Sequence, residues 1–281
     1  MNKLNFTNSL ISASCLFENI NASNLVILDA TIPKVGQTNS DLNLDLGIKN
    51  ARFFDIKNVF SDKNSIFPNT IVDPKTFEKE VQRLGINNDS AIVVYDHHGV
   101  YSSPRAWWLF KTMGHQNVAV LNGGFPEWIK ANYPTEKTTK YKGNLGVFKA
   151  NYQSSTISDY HRVLEAISNK SVLILDARSS DRFKGVKSEP REGLRSGHIP
   201  NSKNLPYTEL VDGAEMLIES EIFKKFDGLV GNTSEIIFSC GSGITACILA
   251  LGADVAGYKN LSVYDGSWTE WGSLHELPIE V

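Results

Sequence analysis

Two kinds of hydrophobic pattern alternate along this chain. Short apolar runs rich in Val, Ile and Leu lie at residues 26–28, 92–95, 118–121, 173–175, 236–239 and 261–264. Windows with the apolar spacing of helices lie at residues 74–84, 105–113, 158–167 and 245–252. Continuous apolar strands that alternate with helices are typical of a mainly parallel sheet with helices on both faces. The pattern therefore predicts an α/β fold.

The same order of segments occurs twice, about 145 residues apart. LVILDA at residues 25–30 returns as VLILDA at 172–177, and NGGFPEW at 122–128 returns as DGSWTEW at 265–271. This period is far longer than that of a solenoid repeat, so it indicates a duplicated domain. We predict an N-terminal domain at residues 1–135, a polar linker at 136–150 and a C-terminal domain at 151–281.

Composition narrows the function classes. The 281 residues include 28 Lys and Arg against 31 Asp and Glu, so the net charge of -3 offers no basic field for nucleic acid or a membrane surface. No apolar run reaches the roughly 18 residues of a membrane span, and the N-terminus lacks the continuous apolar stretch of a secretory signal. Cys15, Cys240 and Cys247 form no C-x-x-C pair, which argues against a zinc site or a disulfide framework. We expect a soluble, cytoplasmic protein.

The loop CGSGITA at residues 240–246 follows a predicted strand and precedes a predicted helix. Its two glycines allow the backbone to curl so that several N–H groups face inward, and the helix N-terminus adds partial positive charge. Such surroundings favour a thiolate and a second anionic atom bound to it, such as a persulfide sulfur. Cys240 is therefore the candidate nucleophile, and the predicted cradle consists of Gly241, Ser242, Gly243, Ile244 and Thr245.

A cysteine in such a loop can also serve other chemistry. A cysteine phosphatase needs an arginine six residues after the cysteine, where this chain has Ala246, and the P-loop pattern is absent. Spacing leaves a Cys–His protease open, although a protease leaves the duplication unexplained. A buried cysteine that merely ends a core strand is the structural alternative.

The whole chain resembles the two-domain rhodanese-like sulfurtransferases, and the cysteine loop is similar to that of the 3-mercaptopyruvate sulfurtransferases. The resemblance also covers DAR at residues 176–178, RFKG at 182–185, EPR at 189–191, GHIP at 197–200 and YDGSW at 264–268. It implies two tandem rhodanese-like domains, of which the first is catalytically silent. Asp96 stands in the first half where the second half has Cys240, which fits that expectation.

The resemblance implies a double displacement with no metal and no organic cofactor. Cys240 takes sulfur from 3-mercaptopyruvate, pyruvate leaves, and an acceptor thiol or cyanide removes the outer sulfur. Thioredoxin or a low-molecular-weight thiol would serve as the acceptor. Thiosulfate is the alternative donor, although thiosulfate enzymes of this family usually carry basic residues in the loop. A non-enzymatic module that binds a partner or relays persulfide is the second alternative.

Arg182 and Arg191 match the family's substrate-binding arginines and suit a small anionic donor, because a guanidinium fork pairs with a carboxylate. From spacing alone, two solvated surface arginines remain the alternative.

In mercaptopyruvate enzymes, the loop serine can belong to a hydroxyl relay with a histidine and an acidic residue. Here Asn69 stands where family members commonly have that histidine, and the acidic position falls near Lys57 or Asn58. An amide cannot act as a general base, so the relay does not carry over, which weakens the assignment of mercaptopyruvate as the donor.

Three further features have structural explanations. His97 and His98 are adjacent, and adjacent side chains on an extended segment point in opposite directions, so we do not expect them to share a metal. Cys247 should be a buried helix residue two turns beyond the loop. Trp107 and Trp108 should pack in the core of the first half.

Overall fold

A computed structural model describes residues 3–38, 42 and 44–281. The described chain divides into two compact units. The first contains the residues up to Asp62, Ile71–Gln153 and Gly213–Met216, and the second contains Lys63–Thr70, Ser154–Asp212 and Leu217–Val281. Residues 63–70 lie in the N-terminal half of the sequence but belong to the second unit. Residues 213–216 lie in the C-terminal half but belong to the first unit.

The described strands, in chain order, are β1 Leu10–Ile11, β2 Leu25–Asp29, β3 Leu46–Ile48, β4 Arg52–Phe53, β5 Ala91–Tyr95, β6 Val118–Leu121, β7 Thr135–Lys137, β8 Ile157–Ser158, β9 Val172–Asp176, β10 Lys203–Asn204, β11 Val211–Asp212, β12 Glu215–Met216, β13 Glu235–Ser239 and β14 Leu261–Tyr264. The described α-helices are α1 Ala13–Glu18, α2 Pro74–Arg83, α3 Ser103–Thr112, α4 Gly124–Lys130, α5 Tyr160–Ala166, α6 Ser180–Phe183, α7 Glu219–Val230, α8 Ala246–Val255 and α9 Ser267–Trp271. Two short 3-10 helices lie at Ser154–Thr156 and Tyr207–Leu210.

Each unit is built around one five-stranded parallel sheet. The order is β1-β6-β5-β2-β4 in the first unit and β8-β14-β13-β9-β10 in the second. These orders match strand for strand, so the duplicated α/β fold predicted from the repeat is confirmed. The six apolar runs are the central strands, and nearly all of their residues are buried. The two-residue edge strands have no counterpart among the predicted elements.

The helices agree with the predicted windows to within two residues at most ends, with the largest difference at the C-terminus of α8. Local chemistry accounts for several of the helix starts. The Asp73 side chain accepts hydrogen bonds from the backbone N–H groups of Lys75 and Thr76 at the start of α2, and Pro74 follows at the first helical position. Asp159 caps α5 in the same way through the N–H of Arg162. None of the described helices is both long and apolar enough to cross a membrane.

Repeated tryptophans anchor the two cores. Trp128 of the first unit and Trp271 of the second are fully buried, and their indole N–H groups donate to the carbonyls of Pro134 and Pro278, at 2.9 and 2.8 Å. Burying an indole with its N–H satisfied avoids the cost of an unpaired polar group. The repeat therefore preserves a packing unit as well as a sequence motif. Trp107 and Trp108 are buried in α3, which confirms their predicted packing role.

Candidate active site

The cysteine loop lies at the carboxyl end of the second sheet. β13 ends at Ser239, which is paired with Asp176 of β9, and Cys240 follows directly. Cys240 is 1% exposed, and α8 begins six residues later at Ala246. The predicted strand–loop–helix arrangement is confirmed, and ligands of open α/β sheets bind at this edge.

Hydrogen bonds to α9 orient the peptide groups of this loop. The carbonyls of Cys240 and Gly241 accept hydrogen bonds from the N–H groups of Trp268 and Thr269 in α9, both at 2.9 Å. Because the N–H and C=O of a trans peptide point in opposite directions, the N–H groups of Gly241 and Ser242 face away from α9. No described residue accepts a hydrogen bond from the N–H groups of four loop residues, Gly241, Ser242, Ile244 and Thr245.

The two loop glycines serve different purposes. Gly243 has a φ of 77°, the left-handed conformation that glycine adopts at little cost. At Gly241 the reason is space, because a Cβ there would lie 3.2 Å from Nη2 of Arg182. Glycine at 241 therefore allows the guanidinium to approach the loop backbone.

Arg182 is already paired with a carboxylate. Its Nη2 lies 2.5 Å from Oε2 of Glu189, whose side chain is only 2% exposed, and Oε1 of Glu189 lies 2.9 Å from Nη1 of Arg178. Arg178 in turn lies 2.7 Å from Asp176. Burial lowers the pKa of Arg178, but Asp176 and Glu189 together raise it further than burial lowers it. Arg182 thus belongs to a buried ion network.

Arg191 contrasts with Arg182. Its guanidinium donates to Thr269 Oγ1 at 3.2 Å and to Ser242 Oγ at 3.4 Å. Among the described residues, no carboxylate lies within ion-pair distance of Arg191. Of the two predicted substrate arginines, Arg191 therefore carries the less compensated charge beside the loop.

Asn69 contacts the loop directly. Its side-chain Nδ2 donates to the carbonyl of Ser242 at 3.2 Å and to Ser242 Oγ at 3.0 Å. An amide thus occupies the place where the family comparison anticipated an imidazole. Asn58 lies in the other unit, and its side chain donates to Asp55.

Ser267 is a site residue that the sequence analysis missed. Its hydroxyl oxygen accepts from the N–H groups of Cys240 and Gly243 at 3.2 and 3.1 Å, and lies 4.0 Å from Cys240 Sγ. Its own proton is directed to the carbonyl of Tyr264 at 2.8 Å. One hydroxyl thereby ties together the first and fourth residues of the loop.

A signal for Ser267 exists in the repeat. Its counterpart in the first unit is Gly124, and the two residues share left-handed φ values of 51° and 52°. A Cβ at Gly124 would lie 2.4 Å from the carbonyl oxygen of Asp96, so only glycine fits there. Serine accepts a strained conformation in the second unit, where its hydroxyl has partners. Strain of this kind is concentrated at functional sites.

In the first unit, the loop that corresponds to the Cys240 loop is occupied by the side chain of Asp96. Oδ2 of Asp96 accepts from the N–H groups of Tyr101, Ser102 and Ser103 at 2.8 to 2.9 Å and from the Ser103 hydroxyl at 2.7 Å. Oδ1 accepts from the N–H of His98 at 2.9 Å. The first unit therefore has an anion cradle occupied by a fully buried carboxylate.

The two histidines beside Asp96 face different partners. His97 Nε2 lies 3.2 Å from Asp29 Oδ2, and the His98 ring contacts the carbonyl of Ile32 at 3.0 Å. Burial lowers the pKa of His98, more than the nearby Asp96 raises it. Within the described part of the chain, no three candidate ligands gather as a metal site requires.

Cys247 behaves as predicted. It is fully buried in α8, and its Sγ contacts the carbonyl of Gly243 at 3.3 Å. In the described part of the chain, Cys15, Cys240 and Cys247 form no disulfide.

The family model and the most similar relatives of this chain agree on its family. The family model for the rhodanese-like domain matches residues 12–131 and 159–274. The chain is 36% identical to a 3-mercaptopyruvate sulfurtransferase of Escherichia coli K12, over 98% of both chains. It is 34% identical to a thiosulfate sulfurtransferase of Gallus gallus, over 96% of this chain and 94% of the relative.

A solved structure agrees with the sequence comparisons. The crystal structure of SseA from Escherichia coli, described as a 3-mercaptopyruvate sulfotransferase with the rhodanese fold, superposes with a TM-score of 0.82. That match covers 93% of this chain and 99% of the SseA chain at 34% identity. The duplicated fold, the cysteine loop and these relatives agree, and the chain belongs to the two-domain rhodanese-like sulfurtransferases, a family of enzymes.

Proposed function

We propose that this protein transfers sulfur from 3-mercaptopyruvate, through a persulfide on Cys240, to a thiol or cyanide acceptor. In the first step, the Cys240 thiolate attacks the donor sulfur and the donor carbon–sulfur bond breaks. Its electron pair leaves as the enolate of pyruvate, which takes up the thiol proton at carbon. In the second step, the acceptor attacks the outer sulfur, and the sulfur–sulfur bond breaks to regenerate the thiolate.

The observation that carries this proposal is the difference between the two matched loops. In the first unit, Oδ2 of Asp96 accepts hydrogen bonds from three loop N–H groups, and this oxygen lies two bonds beyond Cβ. The outer sulfur of a Cys240 persulfide also lies two bonds beyond Cβ. In the second unit, the N–H groups of Gly241, Ser242, Ile244 and Thr245 have no acceptor among the described residues. These donors would stabilise the persulfide anion.

Substrate binding falls mainly to Arg191 in this proposal. A 2-oxo acid presents a carboxylate, and Arg191 has no carboxylate of its own within ion-pair distance among the described residues. Arg182 shares its charge with Glu189 and supports the loop at Gly241. A planar guanidinium binds a carboxylate through two parallel hydrogen bonds.

The first domain is catalytically silent in this proposal. Asp96 offers no sulfur nucleophile, and its carboxylate already saturates the cradle. In addition, the His97 ring stacks on Phe125 at a centroid distance of 4.3 Å, next to the loop. The first domain therefore retains the shape of the site without its chemistry.

Thiosulfate is the alternative donor, and relatives of both names match this chain. The loop from Cys240 to Thr245 contains no Lys or Arg, so a dianion meets backbone dipoles and the neighbouring arginines. A non-enzymatic relay module is the second alternative. The free thiol of Cys240 and the adjacent Arg191 favour catalysis over that alternative.

The acceptor in this proposal is a small thiol, cyanide or a thiol protein such as thioredoxin. A reducing, cytoplasmic compartment suits a chain whose three cysteines form no disulfide among the described residues.

Steady-state kinetics with both donors and cyanide as acceptor test the proposal. We expect kcat/KM for 3-mercaptopyruvate to exceed that for thiosulfate, and Cys240→Ser to abolish both activities. Cys15→Ser is the matched control, since Cys15 lies on α1 of the first unit and contacts no residue of the Cys240 loop, and it should keep activity. A higher kcat/KM for thiosulfate contradicts the proposed donor.

A further inference from the structure

The hydroxyl of Ser242 has an unusual set of partners. Its oxygen receives hydrogen bonds from Asn69 at 3.0 Å and from Arg191 at 3.4 Å. No described residue accepts the proton of this hydroxyl, although Ser242 is only 8% exposed. A buried hydroxyl whose proton lacks a protein acceptor points to a ligand.

The orientation of the Asn69 amide is determined by its contacts. The same nitrogen, Nδ2, lies 3.2 Å from the Ser242 carbonyl, and a carbonyl can only accept. The atom that faces Ser242 must therefore be the NH₂ group. Arg191 is also a donor in every state, because a guanidinium has no acceptor atom. Both neighbours of Ser242 Oγ are obligate donors.

We propose that Asn69 is a positioning residue that fixes Ser242 as a hydrogen-bond donor to the keto oxygen of a 2-oxo acid sulfur donor. This inference rests on the proposed function. When the carbon–sulfur bond breaks, its electron pair becomes an enolate, and negative charge develops on that oxygen. A donor aimed at developing charge lowers the barrier without accepting a proton itself. Ser242 thus acts by hydrogen bonding and requires no titrating base at residue 69.

The backbone at Asn69 has a conformation that few residue types adopt readily. Its φ of 64° is left-handed, a conformation in which asparagine is enriched and that glycine adopts freely. Asn69→Gly therefore removes the amide while keeping the backbone conformation. Asn69→Asp keeps the shape and replaces the donor group with an acceptor, which captures the Ser242 proton.

A double-mutant cycle on the full-length enzyme tests the proposal. Single-turnover pyruvate formation from 3-mercaptopyruvate is measured for the wild type, Asn69→Gly, Ser242→Ala and the double variant. We expect each single variant to be slower by about 10- to 100-fold, with the loss in the single-turnover rate constant rather than in donor affinity, since a hydrogen bond to developing negative charge is lost. The double variant should be no slower than Ser242→Ala, because Asn69 acts through that hydroxyl.

The controls separate positioning from general damage. Asn69→Asp should be at least as slow as Asn69→Gly, although it fills the same space. Transfer of preformed persulfide sulfur to cyanide should be unchanged, because that step forms no enolate. Asn201→Gly should behave like the wild type, since Asn201 is a second left-handed asparagine, with a φ of 59° and an amide that donates to the carbonyl of Ile167.

The possible outcomes are distinguishable. Losses that multiply in the double variant, or a wild-type rate in Asn69→Asp, overturn the positioning role and leave the persulfide mechanism standing. A wild-type enzyme that forms neither pyruvate nor persulfide overturns the proposed function, and the role of Asn69 with it.

Discussion

Replacing Asp96 by Asn should strongly destabilise the first unit. The carboxylate is fully buried and accepts five hydrogen bonds, four of them at Oδ2. Asparagine removes the charge and places an NH₂ group against at least one N–H. Hydrogen bonds to a charged group contribute about 1.5 to 3 kcal/mol each against about 1 for neutral ones, and an unpaired buried N–H costs about 1 to 3 kcal/mol. Because such terms are not additive, we expect a loss of about 3 to 5 kcal/mol.

The assay must separate the two units. Amide hydrogen exchange read by mass spectrometry in increasing urea reports the opening free energy of each segment. Peptides from α3 and β5 should lose protection in Asp96→Asn, while peptides from β13 and α8 should not. Asp55→Asn is the matched control, because Asp55 also accepts loop hydrogen bonds, but at an exposed turn. We expect that change to cost less than about 1 kcal/mol.

A loss of stability below about 1 kcal/mol in Asp96→Asn would contradict this prediction. It would mean that the loop N–H groups of the first unit are not an effective anion cradle. The comparison with the Cys240 loop would then no longer support persulfide binding.

Three further predictions concern the second unit. Ser267→Gly should slow persulfide formation about tenfold in single-turnover assays, because two loop N–H groups lose their acceptor, whereas Ser262→Ala, a buried serine on β14, should not. Arg191→Met should raise KM for 3-mercaptopyruvate by about 10- to 100-fold in steady-state assays, since the substrate carboxylate loses its unshared cation. Burial raises the pKa of Glu270, so the folded state holds that proton to higher pH than the unfolded state. The stability that this bound proton contributes is fully present at acid pH and is lost as pH rises through the pKa of Glu270 in the folded state. Glu270→Gln should therefore raise Tm at neutral pH, with a difference that shrinks towards about pH 4.

The central fold followed from the sequence because buried parallel strands are continuous apolar runs. Five-residue strands such as β2, β5, β9 and β13 carry that signal. The edge strands β1, β8 and β10 contain two residues each, which is too short for any period to be visible. Their positions depend on pairing with β6, β14 and β9.

The site was predictable in part. Cys240 and its glycines are contiguous, so a local pattern identified the loop. The difference between Arg182 and Arg191 depends on Glu189, whose burial sequence alone does not reveal. The contact between Asn69 and Ser242 joins residues 173 positions apart, beyond any local pattern. Ser267 lies in the repeated motif that the sequence analysis identified, where it replaces Gly124 of the first repeat, and that difference is the only signal for it in the sequence.

Persulfide formation on Cys240 is tested most directly by the mass of the intact protein after brief treatment with 3-mercaptopyruvate, followed by peptide mapping. We expect a gain of one sulfur atom, located on the peptide that contains Cys240, absent from Cys240→Ser and lost again on addition of cyanide. A sulfur gain that persists in Cys240→Ser, or no gain in an enzyme that releases pyruvate, would contradict it.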